Sequence, residues 1–180
     1  LTFRANDPTK SNVIATALFG DGAAAVLLES PESGAASSGG LRLGPCGEHT
    51  WPQSLDVMGW NMENDGLGVV FSRDIPALIR ERMAPAADAF LARHGLTRGD
   101  IDGYVCHPGG AKVIGALEEV FDLPDGGLSE ARAVLRDYGN MSAVTVLFVL
   151  ERLRRAGMKG RYLMTALGPG FTAGFQILEA

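Results

Sequence analysis

The sequence predicts an α/β fold built around a largely buried sheet, on three observations. Short apolar runs of strand length alternate with longer segments of helical pattern. Apolar residues make up 46% of the 180-residue chain, enough for a real core. Glycine, at 24 residues, is about twice its usual ~7% share, so many tight turns or close backbone approaches are expected.

The elements follow in order. Leu1-Thr2-Phe3-Arg4 reads as the inside of a strand, so the chain is expected to be a portion of a longer protein. The apolar run at 13–19 leads to Gly20-Asp21-Gly22 and then to Ala23-Ala24-Ala25-Val26-Leu27-Leu28. That second run has the length of a buried strand rather than a helix. Residues 30–40, rich in Ser and Gly, form a surface loop, and a strand follows near 41–43. Residues 49–65 lack periodicity and read as an irregular, partly buried loop. A strand is expected at 66–72. Asp74 then caps a helix with Pro76 in its first turn, running to about His94 and closed by Gly95. A buried strand at 101–106 stops at His107-Pro108-Gly109-Gly110. Helices are expected at 111–121, at 129–138 with Ser129 as its cap, and at 141–155. The last is apolar nearly all round until Arg152, Arg154 and Arg155, the pattern of a helix inside a large core. Strands at 162–166 and 175–178 flank Leu167-Gly168-Pro169-Gly170.

Composition narrows the function. With 16 basic against 21 acidic residues the net charge is −5, and no stretch is strongly basic, so nucleic acid is not the expected ligand. The longest apolar run, 143–150, is too short to span a membrane. Cys46 and Cys106 read as free thiols in a reducing compartment, and no Cys/His pattern suggests a metal.

His107 is the first candidate for chemistry. It ends a buried strand, and in open α/β sheets ligands gather at the carboxyl ends of strands. An imidazole there could stabilise a thiolate, donate to an oxyanion or move a proton; the alternative is a histidine that merely ends a strand. Asn140, between Gly139 and a helix, reads first as an N-cap. Its carboxamide NH2 could also complete an oxyanion hole with His107. Gly168-Pro169-Gly170 is either a hairpin turn or a bare loop that lets substrate approach the backbone. Gly20-Asp21-Gly22-Ala23-Ala24-Ala25 formally matches a dinucleotide fingerprint, but a strand and a Ser/Gly loop follow it where a helix is needed. Cys106 precedes His107 on a strand, so the two side chains point to opposite faces and Cys106 is not its nucleophile.

Four segments taken together carry a resemblance. They are Ala17-Leu18-Phe19-Gly20-Asp21-Gly22-Ala23-Ala24-Ala25, His107-Pro108-Gly109-Gly110, Tyr138-Gly139-Asn140-Met141-Ser142 and Gly168-Pro169-Gly170. In this order and spacing they resemble type III polyketide synthases, the chalcone/stilbene synthase family, with residues 66–76 most like bacterial members. The resemblance implies a thiolase-like layered α/β fold, this chain holding a C-terminal half with a mostly buried, mixed five-stranded sheet flanked by helices. Residues 1–48 would end the preceding half and 66–180 would form the C-terminal one. It implies an acyltransferase that loads an acyl-CoA starter on a cysteine, decarboxylates malonyl-CoA and condenses the carbanion with the acyl group. No further cofactor is expected. The partners implied are CoA thioesters and a second copy in a homodimer, in the cytoplasm.

The resemblance assigns His107 and Asn140 to a Cys-His-Asn triad whose cysteine lies upstream of this chain, so the chain alone is expected to be inactive. Phe19 matches one of two gating phenylalanines, and Val69 stands at the other. Trp60 falls in the region lining the cyclisation cavity, and Ser142 is a further substrate-binding position. Ala166-Leu167 replace the usual Gly-Phe before Gly168, Pro169 and Gly170, a loop that shapes the cavity. Lys112 stands near the mouth of the CoA tunnel, where it would meet a phosphate or simply be solvated. Two other readings stay open: a ketoacyl synthase III-like enzyme that initiates fatty-acid chains, and a non-catalytic binding or assembly domain of the same fold.

Overall fold

The computed structural model describes residues 6–30, 40–64 and 66–180. The strand expected at the very start of the chain, and most of the Ser/Gly-rich loop, lie outside the described residues. Helix α1 (Lys10–Leu18) comes first. Strand β1 (Arg42–Thr50) and the hairpin of β2 (Met58–Glu63) and β3 (Gly66–Phe71) follow. Then come α2 (Ile75–Ala92), β4 (Gly103–Cys106), α3 (Ala111–Val120), α4 (Ser129–Tyr138), α5 (Val144–Arg155), β5 (Arg161–Gly168) and β6 (Thr172–Glu179).

The main sheet is mixed and has four strands in the order β1-β6-β5-β4, not the five expected. Strand β4 runs parallel to β5, while β6 is antiparallel to both β5 and β1. What reaches the place of a further strand is a single parallel bridge between Phe19 and Asn140. Glycines interrupt both segments there, and the backbone turns away after one pairing.

One face of the sheet is covered by helices. The register aligns Tyr104 with Leu163, Cys106 with Thr165, and these in turn with Ile177 and Phe175. Phe175 stacks on Phe90 of α2 at 5.2 Å and Tyr104 on Phe121 at the end of α3 at 4.3 Å. Phe90, Leu163 and Ile177 are fully buried, which removes apolar surface from water at roughly 25 cal/mol per Å². On the opposite face α5 lies against β4, but Tyr162, Met164 and Ala166 stay only half-buried.

Several elements depart from expectation. Residues 23–28 form no strand: they are extended and exposed, with Leu27 at 84% and Leu28 at 68%. Among the described residues no strand lies beside them to take their backbone bonds or cover their two apolar faces. The run that begins at Val13 is helical up to Leu18, in a helix started by Thr9, whose hydroxyl accepts from the Asn12 amide. The stretch 49–65 is irregular at 51–57 but not throughout, since β1 extends to Thr50 and β2, Met58–Glu63, pairs with β3. The period of two in Met58, Trp60 and Met62, followed by Asn64-Asp65-Gly66, was the signal for that hairpin. Helix α5 starts three residues later than expected and buries only Thr145, Val146 and Val149 fully, so it lies on the core rather than inside it. Ser129 is the first helical residue of α4, not its cap; the Glu118 carboxylate accepts the preceding Leu128 amide. The end of α2 is as expected, with Gly95 at φ 69° closing it.

Candidate active site

His107 continues β4 by one rung, its amide donating to Thr165 O at 2.9 Å. The chain then turns, with the Gly109 amide bonded to His107 O, and enters α3. The imidazole is buried, and its Nδ1 has no hydrogen-bond partner among the described residues. Burial, which penalises the charged ring, pushes its pKa down to about 4. Cys106 faces the other side of the sheet, as its place one residue earlier requires. Burial, with the Glu118 carboxylate nearby, pushes its thiol well above the usual range. It is therefore a protonated, inert core residue. Cys46 is a free, exposed thiol on β1.

Asn140 is not a helix cap, because α5 begins at Val144. The close crossing of two chain segments holds it instead. Its amide donates to Leu18 O at 2.8 Å, and its carbonyl accepts from Gly20 N at 3.1 Å. This crossing explains the glycines on each side. A Cβ on Gly20 would collide with the Tyr138 carbonyl, and Gly139, at φ 72°, would press a Cβ on Leu18 O. The Gly-Asp-Gly motif is thus a backbone crossing, not a nucleotide loop.

The crossing fixes the carboxamide. Asn140 Oδ1 accepts the Ser142 amide at 2.9 Å, and Nδ2 donates to Gly109 O at 3.2 Å. One hydrogen of Nδ2 is left over. Because Gly109 belongs to the turn that follows His107, this bond joins the two candidate residues: imidazole and carboxamide flank a single loop. Both side chains are buried donors without negative charge, tied to one loop through Gly109 O, although His107 is not among the residues that line the cavity beside Asn140.

Asn140 lines a cavity of about 350 Å³ together with Ala15, Thr16, Phe19, Gly20, Trp60, Met141 and Ser142. Phe19 and Trp60, with ring centroids 6.1 Å apart, both line it, and Phe71, which is not a lining residue, stacks on Phe19 at 5.9 Å. Ser142 sits on the rim in the left-handed region, φ 58°, a conformation that a non-glycine residue adopts only under constraint. Val69, directly across the hairpin from Trp60, lines a second cavity of about 340 Å³ with Asn12, Leu67 and Gly68.

The remaining candidates are not gathered here. Lys112 is exposed in the first turn of α3 and lines neither cavity. Leu167 and Gly168 end β5, and Pro169 and Gly170 make the tight turn into β6, so the hairpin reading holds. The turn is anchored on the start of β2 and on the loop before it. Gly170 N donates to Met58 O at 3.1 Å, and the buried Ser54 hydroxyl donates to Gly170 O at 2.8 Å. Sequence reasoning passed over Thr145, whose hydroxyl holds the turn after Asn140; a lone Thr in an apolar helix gave no signal. Among the described residues no group of three or more His, Cys, Asp or Glu could hold a metal, and no helix is long and apolar enough to cross a membrane.

The comparisons with known proteins bear on the family and the fold. Residues 46–178 match the family described as chalcone and stilbene synthases, C-terminal domain. A Bacillus subtilis (strain 168) protein bearing a chalcone synthase name is 42% identical over 180 residues, covering 96% of this chain and 49% of that protein. The 1,3,6,8-tetrahydroxynaphthalene synthase of Streptomyces peucetius subsp. caesius is 37% identical over 176 residues, covering 96% of the chain and 47% of the enzyme. The chain spans about half the length of these curated relatives. Among solved structures, the 1,3,6,8-tetrahydroxynaphthalene synthase of Streptomyces coelicolor A3(2), a bacterial type III polyketide synthase, superposes with a TM-score of 0.80 over 98% of the chain and 50% of that structure, at 24% identity. That likeness shows the thiolase-like fold. PKS-I of the brown alga Ectocarpus siliculosus gives 0.74 over 82% of the chain and 41% of that structure, at 26% identity. By the match across most of its length, the chain belongs to the chalcone and stilbene synthase family of type III polyketide synthases and carries that family's C-terminal domain.

Proposed function

We propose that the protein carrying this chain condenses an acyl-CoA starter with malonyl-CoA by decarboxylation, and that this chain supplies the His and Asn of a Cys-His-Asn triad. The observation that carries the reading is the Asn140 carboxamide, locked by Ser142 N and by Gly109 O on the loop that follows His107, with one N–H left to donate. In the reaction, the malonyl thioester loses CO2 and its electrons move onto the thioester oxygen. Asn140 Nδ2–H and the His107 imidazole donate to that enolate oxygen. The enolate carbon then attacks the acyl carbonyl held on the cysteine, and the cysteine sulfur leaves as thiolate. Donors that do not reorganise during the step stabilise such an anion far better than water does. His107 is neutral in its buried setting, and a thiolate facing it would raise its pKa and create an imidazolium–thiolate pair.

Phe19 and Trp60 bound the cavity in which the growing chain would lie. Val69 pairs with Trp60 across the hairpin, and its small side chain leaves more room than a phenylalanine would. The isolated chain, which holds no nucleophile beside His107, is inactive in this reading. The intact protein works as a cytoplasmic homodimer on CoA thioesters, with Lys112 meeting a CoA phosphate.

The test uses the intact protein with labelled malonyl-CoA and a panel of acyl-CoA starters, products being read by mass. His107→Ala abolishes CO2 release and Asn140→Ala cuts it by roughly 100-fold or more. Near-normal decarboxylation in either variant removes the assigned roles. Turnover of malonyl carrier protein but not malonyl-CoA would point to a ketoacyl synthase III-like enzyme. No turnover of either would leave a binding domain of the same fold.

A further inference from the structure

We infer that Thr145 is the positioning residue that aims the Asn140 carboxamide, through a buried hydroxyl clamp on the strained turn between them; the inference rests on the function proposed above. Thr145 is fully buried in the first turn of α5. Its hydroxyl accepts the Met141 amide at 2.9 Å and donates to Ser142 O at 2.7 Å. Both capacities of that oxygen are therefore spent on the two residues that follow Asn140. Its own backbone amide adds a bond to Ser142 O at 3.1 Å.

The clamp is coupled to the site through Ser142. With φ at 58°, Ser142 occupies a conformation that an L-residue leaves unless its neighbours hold it there. The Thr145 hydroxyl holds the Met141 amide before the Ser142 N–H and the Ser142 carbonyl after it, so the peptide that carries the Ser142 amide to Asn140 Oδ1 is fastened on both sides. Oδ1 is fixed by this bond, so Nδ2 must face Gly109 O with its second hydrogen free. Without the Thr145 hydroxyl, the buried Met141 amide has no acceptor and the Ser142 carbonyl keeps only one donor. The turn then relaxes, Ser142 leaves the left-handed region, and the carboxamide is free to rotate. The main-chain crossing of Asn140 with Leu18 and Gly20 does not depend on the hydroxyl and stays. The expected defect is thus one of aim rather than of folding.

The test compares Thr145→Val, which keeps the shape and removes the hydroxyl, with Thr145→Ser, which keeps the hydroxyl, in the intact protein. Thr145→Val is expected to lower kcat for malonyl-CoA decarboxylation by roughly 10- to 100-fold, the range set by misplacing a catalytic group by about 1 Å. KM should stay within about two-fold, acylation of the nucleophile should be unchanged, and Thr145→Ser should restore most of kcat. Hydrogen exchange of the 141–142 amides, read without substrate, should quicken in Thr145→Val and not in Thr145→Ser. Unchanged kcat and unchanged exchange in Thr145→Val overturn the inference. A fall in kcat that Ser does not rescue, or that comes with an equal rise in KM and loss of thermal stability, overturns it too and leaves a merely structural threonine. If the wild-type protein fails to decarboxylate malonyl-CoA, the proposed function falls. The exchange experiment then still decides whether the clamp exists.

Discussion

Residues 6–30 and residues 40–180 of this chain fold by different rules. In the second region every long element finds a partner: β1, β4, β5 and β6 share a ladder, and α2 and α3 cover one face with Phe90, Ile79 and Leu117 buried. In the first region Ala15 alone is fully buried, while Val13, Ile14, Val26, Leu27 and Leu28 stand in solvent. Yet the first region is as apolar as the second. Apolarity alone therefore does not make a core; the facing surface must be there as well. The regions meet where α1 packs on β3 and at a backbone seam, where Leu18, Phe19 and Gly20 cross Gly139 and Asn140. That seam is also where the candidate active site lies.

The largest effect should come from breaking the seam. Gly20→Val sets a branched side chain against the Tyr138 carbonyl, which cannot yield without moving Asn140. In the intact protein, decarboxylation is expected to fall by more than about 100-fold, while the fluorescence and thermal melting of the 40–180 unit change little. Retained activity would show that the crossing tolerates a Cβ and that Asn140 is held by its side chain alone.

Next in size is the core of the second region. Phe90→Ala removes a ring stacked on Phe175 and buried completely, and should cost about 3–5 kcal/mol in denaturant unfolding. Glu118→Ala is a comparable change of another kind. Burial raises the Glu118 pKa, but Arg132 and the Leu128 amide more than offset that and hold it below the ordinary carboxylate range. Removing the carboxylate leaves the Leu128 amide without its buried acceptor and Arg132 without its partner, a loss of about 3 kcal/mol. The exposed Arg80–Glu119 pair should give no more than about 1 kcal/mol.

How legible all this was follows the same division. Helices α2, α3 and α4 and strands β3 to β6 could be read because period and turn residues agree locally, as in Pro76 and Gly95 around α2, although Asp74 stands at the N-cap position without a side-chain capping bond. His107 and Asn140 could be read from their places at element ends and from the motifs around them. The run at 23–28 reads as a strand because its residues favour one, but pairing is a property of the neighbour, which no local pattern encodes. The same holds for Asn140. Its N-cap reading was reasonable locally and failed because a distant segment, 18–20, takes its backbone bonds. Strand β2 was missed although the alternation of Met58, Trp60 and Met62 with Gly59, Asn61 and Glu63 is the pattern of a half-buried strand.

The seam also has a pH signature. With the nucleophilic cysteine replaced by Ala in the intact protein, nothing anionic from that residue faces His107. Its ring should then titrate near pH 4, against about 6.5 in the unfolded chain. Between these values the unfolded chain takes up a proton that the folded one refuses. Stability is therefore level above pH 6.5 and falls as the pH drops towards 4, by about 3 kcal/mol in all. His107→Gln should flatten that part of the profile. A ring that titrates at or above 6.5 in the cysteine-free protein would show that another negative group reaches it.

The smallest effect separates the two regions most cleanly. Leu27 is 84% exposed in this chain, so Leu27→Ser should change the stability of the isolated 180 residues by no more than about 0.5 kcal/mol. A leucine flanked by Val26 and Leu28 in an extended segment nonetheless has the pattern of a strand covered on both faces. In the intact protein the same substitution should cost about 2 kcal/mol or more, the price of a polar group in a covered strand. Hydrogen exchange follows the same logic: the 23–28 amides should exchange freely in the isolated chain and slowly in the intact protein, while those of β6 are slow in both. A loss above about 1 kcal/mol in the isolated chain would mean that Leu27 already packs against something. No loss in the intact protein would mean that the segment stays uncovered there, and that its apolar pattern serves a surface rather than a sheet.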